Sequence, residues 1–357
     1  MIMIIIKKPI KSKPLNRYGR KKTVIPGLIG RGTGKRFPLT LIALIVLSLL
    51  NSCSQNNNTQ TTTPPQSPKA IEAVSSPQKQ KIKVVATFLP MYWFTKAVTG
   101  DTAQVEVLIP PGMEVHDYQA TPETVKAIAT ANVLVKNGMG MEEFLNDTVK
   151  NAENTKLIKI NASKGIKPLE KISPVVRAGK SDDHNHDHHE GNPHVWIDPV
   201  LAKQQVTNIR DGLIAADPTN KATYEANAGN YIKQLESLHK EYQQTLQKYP
   251  NCTFVTFHDA YPYLAQRYNL KQEAVVEIPE DQLSPTDVQN AVNAAKKYNV
   301  KALFGEPGID NKLLTSLSQD LKLTLRPLDP LETGQPDPQH YFTAMRANLQ
   351  NLEAACN

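Results

Sequence analysis

Cysteine is scarce in this chain, with three in 357 residues, and no two of them form a CxxC pair. No HExxH stretch occurs either. A metal centre built from one local motif is therefore excluded, and any such centre must be assembled by the fold from distant segments. Acidic residues are absent from the first 52 positions, which hold eleven Lys and Arg. The remainder carries 30 basic against 34 acidic residues, so the formal charge of +7 belongs to one end of the chain. No basic stripe with interleaved aromatics follows, which excludes a nucleic-acid partner. A long membrane-spanning run is also missing. Phe37 to Leu50 is apolar, but its length suits the h-region of a signal peptide.

Residues 1–52 read as a signal peptide of the lipoprotein type. Leu50-Asn-Ser52-Cys53 resembles a bacterial lipobox, with Cys53 as the residue that takes the lipid. Residues 53–81 are rich in Asn, Gln, Thr, Pro and Ser and hold too little apolar surface to bury. They are expected to form a disordered tether with a typical reach of roughly 30 Å. Such a tether would hold a folded domain at the periplasmic, extracytoplasmic face of the cell membrane. With Cys53 lipidated, Cys252 and Cys356 remain as a pair, and an oxidising compartment permits a disulfide between them.

The folded part alternates strands and helices. Apolar, β-branched runs at 83–89, 105–109, 133–135 and 157–160 read as strands, and helices fit between them. Thr121-Pro122-Glu123 opens one helix with a capping hydroxyl, proline at N1 and an acid in the first turn. The pattern returns at 254–257, 271–277, 301–304 and 321–325. This predicts an α/β fold of two βα lobes with mainly parallel sheets, 82–217 and 250–357. Between them, 218–249 carries apolar or aromatic residues at 224, 228, 231, 235, 238, 242 and 246. That spacing of three and four predicts one long, rigid linking helix that braces both lobes.

Three histidines stand where ligands collect in open α/β sheets, beyond apolar runs that read as strands. His116 follows Pro110-Pro-Gly112, His194 sits in Asn192-Pro-His194-Val-Trp-Ile-Asp198-Pro, and His258 directly follows 254–257. Asp329, in Pro327-Leu-Asp329-Pro-Leu, offers a carboxylate after another run. Three neutral imidazoles with one oxygen suit zinc. Ligands from both lobes would place the metal in the cleft between them, with Asp329 or water completing the shell. Glu306, in Phe-Gly-Glu306-Pro, is read as a supporting acid. The tract His184, His186, His188 and His189, within a loop at 180–191, lacks apolar anchors and reads as an auxiliary metal-collecting loop.

At these residues the chain resembles the metal-binding receptors of bacterial zinc and manganese ABC importers, and most closely their zinc-binding, ZnuA-type members. The resemblance runs from about 82 to 355. It rests on Pro-Gly-x-x-x-His116-Asp-Tyr, Asn-Pro-His194-Val-Trp-Ile-Asp-Pro, Phe-His258-Asp-Ala-Tyr, Phe-Gly-Glu306-Pro and Leu-Asp329-Pro-Leu. It implies Zn²⁺ as the transported ligand, held by His116, His194 and His258 with Asp329 at the acidic position. It further implies a monomeric solute-binding protein, not an enzyme, serving a membrane permease and its ATPase. Histidine rather than carboxylate at 258 favours zinc over manganese. The competing readings are a manganese receptor of the same family, a zinc-dependent hydrolase, and a surface lipoprotein acting in cell adhesion.

Overall fold

Residues 81–169, 191–276, 285–308 and 312–357 are described by the computed structural model of the chain. The signal peptide, Cys53, the tether and His184, His186, His188 and His189 lie outside those residues.

The first sheet contains β1 (Lys83–Ala86), β2 (Gln104–Val107), β3 (Val133–Lys136) and β4 (Ile158–Asn161) in the order β2-β1-β3-β4. All pairings are parallel. The central strands β1 and β3 are buried, as expected when helices cover both faces. Helices α1 (Leu89–Thr99), α2 (Pro122–Thr130) and α3 (Leu145–Asn151) connect them. Thr121 caps α2 through a reciprocal pair of bonds with Thr124.

Helix α4 (Pro199–Ala216) has no counterpart among the expectations above, although Asp198-Pro199 carries its start signal. The Asp198 carboxylate accepts from Val200 N, and Pro199 occupies N1. Next comes the long helix α5 (Lys221–Leu246). It is shorter than 218–249 because Pro218–Asn220 form a separate 3₁₀ turn. All seven residues of the expected stripe, from Tyr224 to Leu246, are buried. Its 26 residues span about 39 Å at a rise of about 1.5 Å each. Asn227 near its start donates to Val98 O in the first lobe. His239 near its end meets the Tyr268 hydroxyl in the second, at 3.1 Å.

The second sheet repeats the topology of the first. It contains β5 (Thr253–His258), β6 (Lys271–Val276), β7 (Ala302–Gly305) and β8 (Thr324–Pro327), in the order β6-β5-β7-β8 and all parallel. Helices α6 (Pro262–Arg267), α7 (Pro285–Lys297) and α8 (Lys312–Leu321) lie along the same stretch of chain. The strand expected at 321–325 begins three residues later. Leu314 and Leu317 bury one face of α8, which therefore runs to Leu321 before Lys322 turns the chain at φ 56°.

Helix α9 (His340–Cys356) closes the fold. Its last residue, Cys356, is joined by a disulfide to Cys252 just before β5, with the Cα atoms 5.7 Å apart. One apolar cluster runs through both lobes and α5, from Val84, Phe94 and Trp196 to Tyr231, Phe254 and Tyr341. Among the described residues, no helix is long and apolar enough to cross a membrane.

Candidate metal centre

His258 is the last residue of β5 and is fully buried. His116 lies beyond the carboxyl end of β2. Gly112 turns the chain there at φ 86°, and buried Val115 and Tyr118 pin the loop on either side of His116. His194 is held by its own segment. Pro193 and Pro199 restrict the backbone, and Trp196 packs its indole 5.0 Å from the His194 ring. The indole N–H of Trp196 donates to Pro330 O at 2.8 Å, tying this segment to the turn after β8.

That turn delivers Glu332 rather than Asp329. The Asp329 carboxylate accepts from Leu331 N at 2.7 Å, and its backbone is bracketed by Asn348, which accepts from Asp329 N and donates to Asp329 O. Leu331 is thereby held at φ 65°, a conformation a branched side chain resists. The turn swings Glu332 toward the histidines, and its side chain is only 8% exposed. Among the described residues, the carboxylate that stands with the three histidines is therefore Glu332, three residues beyond the expected Asp329. The signal was present in Leu-Asp-Pro-Leu-Glu332, but choosing between the two acids requires knowing which one the turn consumes.

Nε2 of His116, His194 and His258 and a carboxylate oxygen of Glu332 lie within 4.8 Å of one another. The Nε2 atoms of His116 and His194 are 3.3 Å apart, and those of His194 and His258 are 3.2 Å apart. Glu332 Oε1 stands 3.3 Å from the first and 3.4 Å from the second. Ligands about 2.0–2.1 Å from a tetrahedral zinc ion are separated by about 3.3–3.4 Å. Four of the six edges of that tetrahedron are thus already formed.

The outer ring nitrogens fix the tautomers. His258 Nδ1 donates to Glu306 Oε1 at 2.6 Å, and His194 Nδ1 donates to Asn192 Oδ1 at 3.0 Å. Each bond leaves Nε2 facing the centre, the arrangement metal-binding histidines favour. Burial drives the His194 ring down to about 3, so it is neutral at physiological pH. Burial also opposes charge on His258, but the Glu306 charge and hydrogen bond outweigh it and lift the ring to about 9. Glu332 is held well below the usual carboxylate range, because the histidines overcome the cost of burying it. Burial raises Asp329 to about 6, as suits a carboxyl engaged with backbone rather than cations.

Residues 84–355 match the ZnuA family, described as the periplasmic zinc-uptake complex component A. The chain belongs to that family. It is 34% identical over 285 residues to the high-affinity zinc uptake system protein ZnuA of Bacillus subtilis, covering 76% of this chain and 87% of that one. It is equally 34% identical over 292 residues to the zinc-binding lipoprotein AdcA of Streptococcus pneumoniae, covering 78% of this chain but only 57% of AdcA. A Zn(II)-bound crystal structure of AdcA from that species matches with a TM-score of 0.66 at 33% identity, over 77% of this chain and 58% of the other. The laminin-binding protein Lmb of Streptococcus agalactiae matches with a TM-score of 0.68 at 30% identity, over 78% of this chain and all of Lmb. Lmb is described as bifunctional, with adhesin and metal-transporting activity. The relatives are named for zinc uptake and zinc binding rather than for catalysis, which counts against the hydrolase reading.

Proposed function

We propose that the chain captures Zn²⁺ outside the cytoplasm and delivers it to the permease of an ABC-type importer powered by its ATPase. His116, His194, His258 and Glu332 hold the ion. The observation that carries this reading is the near-tetrahedral convergence of three Nε2 atoms and one carboxylate oxygen. Three nitrogens and one oxygen suit zinc better than manganese, which prefers oxygen-rich shells. The anionic Glu332 completes four protein ligands, leaving no position for a water to be activated as a hydrolase requires.

In this reading Cys53 carries the lipid, residues 53–81 are the tether, and the protein works as a monomer at the membrane surface. Residues 82–217 and 250–357 are the two lobes, and 218–249 link them. The histidines at 184, 186, 188 and 189 collect zinc for the site. Metal analysis and zinc titration of the purified full chain test the reading, with His258→Glu beside it. The expected result is one tightly held zinc per chain and a shift toward manganese in the variant. Preferential manganese binding by the unaltered protein would overturn it.

A further inference from the structure

Asn192 has no role in the coordination set, yet its side chain touches both halves of it. Oδ1 accepts from His194 N and from His194 Nδ1, each at 3.0 Å. Nδ2 donates to Asp259 O at 2.6 Å, on the residue that follows His258. One amide therefore grips a ligand of the first lobe and the backbone beside a ligand of the second. An amide suits this task, because it carries an acceptor on one end and a donor on the other.

Tyr263 holds the backbone from which Asn192 works. Its hydroxyl donates to Asn192 O at 2.6 Å and accepts from Leu169 N at 3.1 Å. Asn192 N in turn donates to Leu169 O at 3.2 Å. Tyr263 belongs to α6 of the second lobe, and it packs in a small apolar cluster with Ile166 and Val195 of the first. The ring has little room to turn, so its hydroxyl is a fixed point.

We propose that Tyr263 and Asn192 act as one positioning relay that sets how long a bound Zn²⁺ ion stays in the site. The proposal rests on the zinc-capture reading above. An ion leaves when His194 and His258 separate, and that separation must break the Asn192 amide bonds. The relay holds while the lobes are together and breaks as they part, so it adds to the barrier for release. Its loss should therefore appear in the dissociation rate.

The test uses the full chain loaded with zinc, with release followed by transfer to an excess of a coloured chelator. Tyr263→Phe keeps the ring and removes only the hydroxyl, so release should become about three- to tenfold faster, the loss of one or two net hydrogen bonds. Asn192→Ala should cost about 10–100-fold, as for other partners of metal-bound histidines. The double variant should release zinc no faster than Asn192→Ala alone, because the two residues act in series. Asn192→Asp keeps the acceptor for His194 and loses the donor to Asp259. It should speed release while the visible spectrum of the Co²⁺-substituted protein stays tetrahedral.

Release from Tyr263→Phe at the unaltered rate, or losses that multiply in the double variant, would overturn the relay. So would unchanged release from Asn192→Asp. If the unaltered protein itself takes up no zinc, the capture reading falls; if it binds zinc and only these variants fail to differ, the relay alone falls.

Discussion

Raising the pH from 7 to 9 should tighten zinc binding about fiftyfold, and the cause is one hydrogen bond. Glu306 Oε1 lies 2.6 Å from His258 Nδ1 and holds that buried ring protonated up to about 9. Zinc needs the Nε2 lone pair, so binding must expel the Nε2 proton while the Nδ1–H to Glu306 remains. Proton and metal compete. Below about pH 9 the zinc-free ring carries the proton, and each unit of falling pH costs a factor of ten, or about 1.4 kcal/mol. At pH 7 the proton is two units below its release point, so displacing it costs about 2.7 kcal/mol.

His194 and Glu332 do not blur this dependence. His194 releases its proton at about 3, far below the range, and Glu332 is ionised throughout. Competition titrations against a chelator of known pH dependence, at pH 7, 8 and 9, should give a gain of about ninefold over the first unit and about fivefold over the second. Calorimetry in two buffers of different ionisation enthalpy should count about one proton released per zinc at pH 7.5. Glu306→Gln removes the charge that holds the proton, so its affinity should level off near the ordinary histidine range of about 6.5. A wild-type affinity that is flat from pH 7 to 9 would refute the reasoning, as would a slope that survives in Glu306→Gln.

The remaining predictions concern the fourth ligand, the disulfide and the bracing of the lobes. Glu332→Gln should weaken zinc binding by about a hundredfold or more, beyond the loss typical of an outer partner. Asp329→Ala should leave the affinity within about threefold but lower stability to urea by about 1 kcal/mol, through loss of the bond to Leu331 N. The reverse pattern would restore Asp329 as the ligand. Cys252→Ser opens a bridge between residues 104 apart in sequence and should lower stability by about 2–4 kcal/mol, matched by a reducing agent acting on the unaltered protein. Small-angle scattering should show little change in dimensions between zinc-free and zinc-bound protein; an expansion typical of a wide hinge would contradict the bracing by α5.

The sequence made the three histidines legible because each lies in a segment with its own local signature. His116 follows a Pro-Pro-Gly break, His194 sits between two prolines, and His258 ends a β-branched run. The long helix was legible because its stripe is periodic, and every residue of that stripe proved buried. Glu332 was not legible for a physical reason. Two acids three positions apart compete for one role, and the loser is decided by Asn348, nineteen residues away, which brackets Asp329 from α9. The relay was hidden in the same way. Asn192 and Tyr263 are 71 residues apart and meet only because the two lobes face each other. Periodicity reports which face of an element is buried, whereas a hydrogen bond between lobes leaves no periodic trace.

Burial of the site sets the terms on which the ion leaves. His258 is 0% exposed and His194 1%, so neither can release zinc without movement of the surrounding segments. Those segments are bound across the lobes by more than the relay. The Trp196 indole donates to Pro330 O, Tyr341 donates to Trp196 O, and the Arg267 guanidinium meets the Asp198 carboxylate, each at 2.8 Å. Spontaneous release is slow, since several bonds must yield together. A carrier built this way retains its ion until something outside it separates the lobes. The dependence on His258 supplies a second lever, because a proton that takes Nε2 once the segments part keeps the ion from binding again.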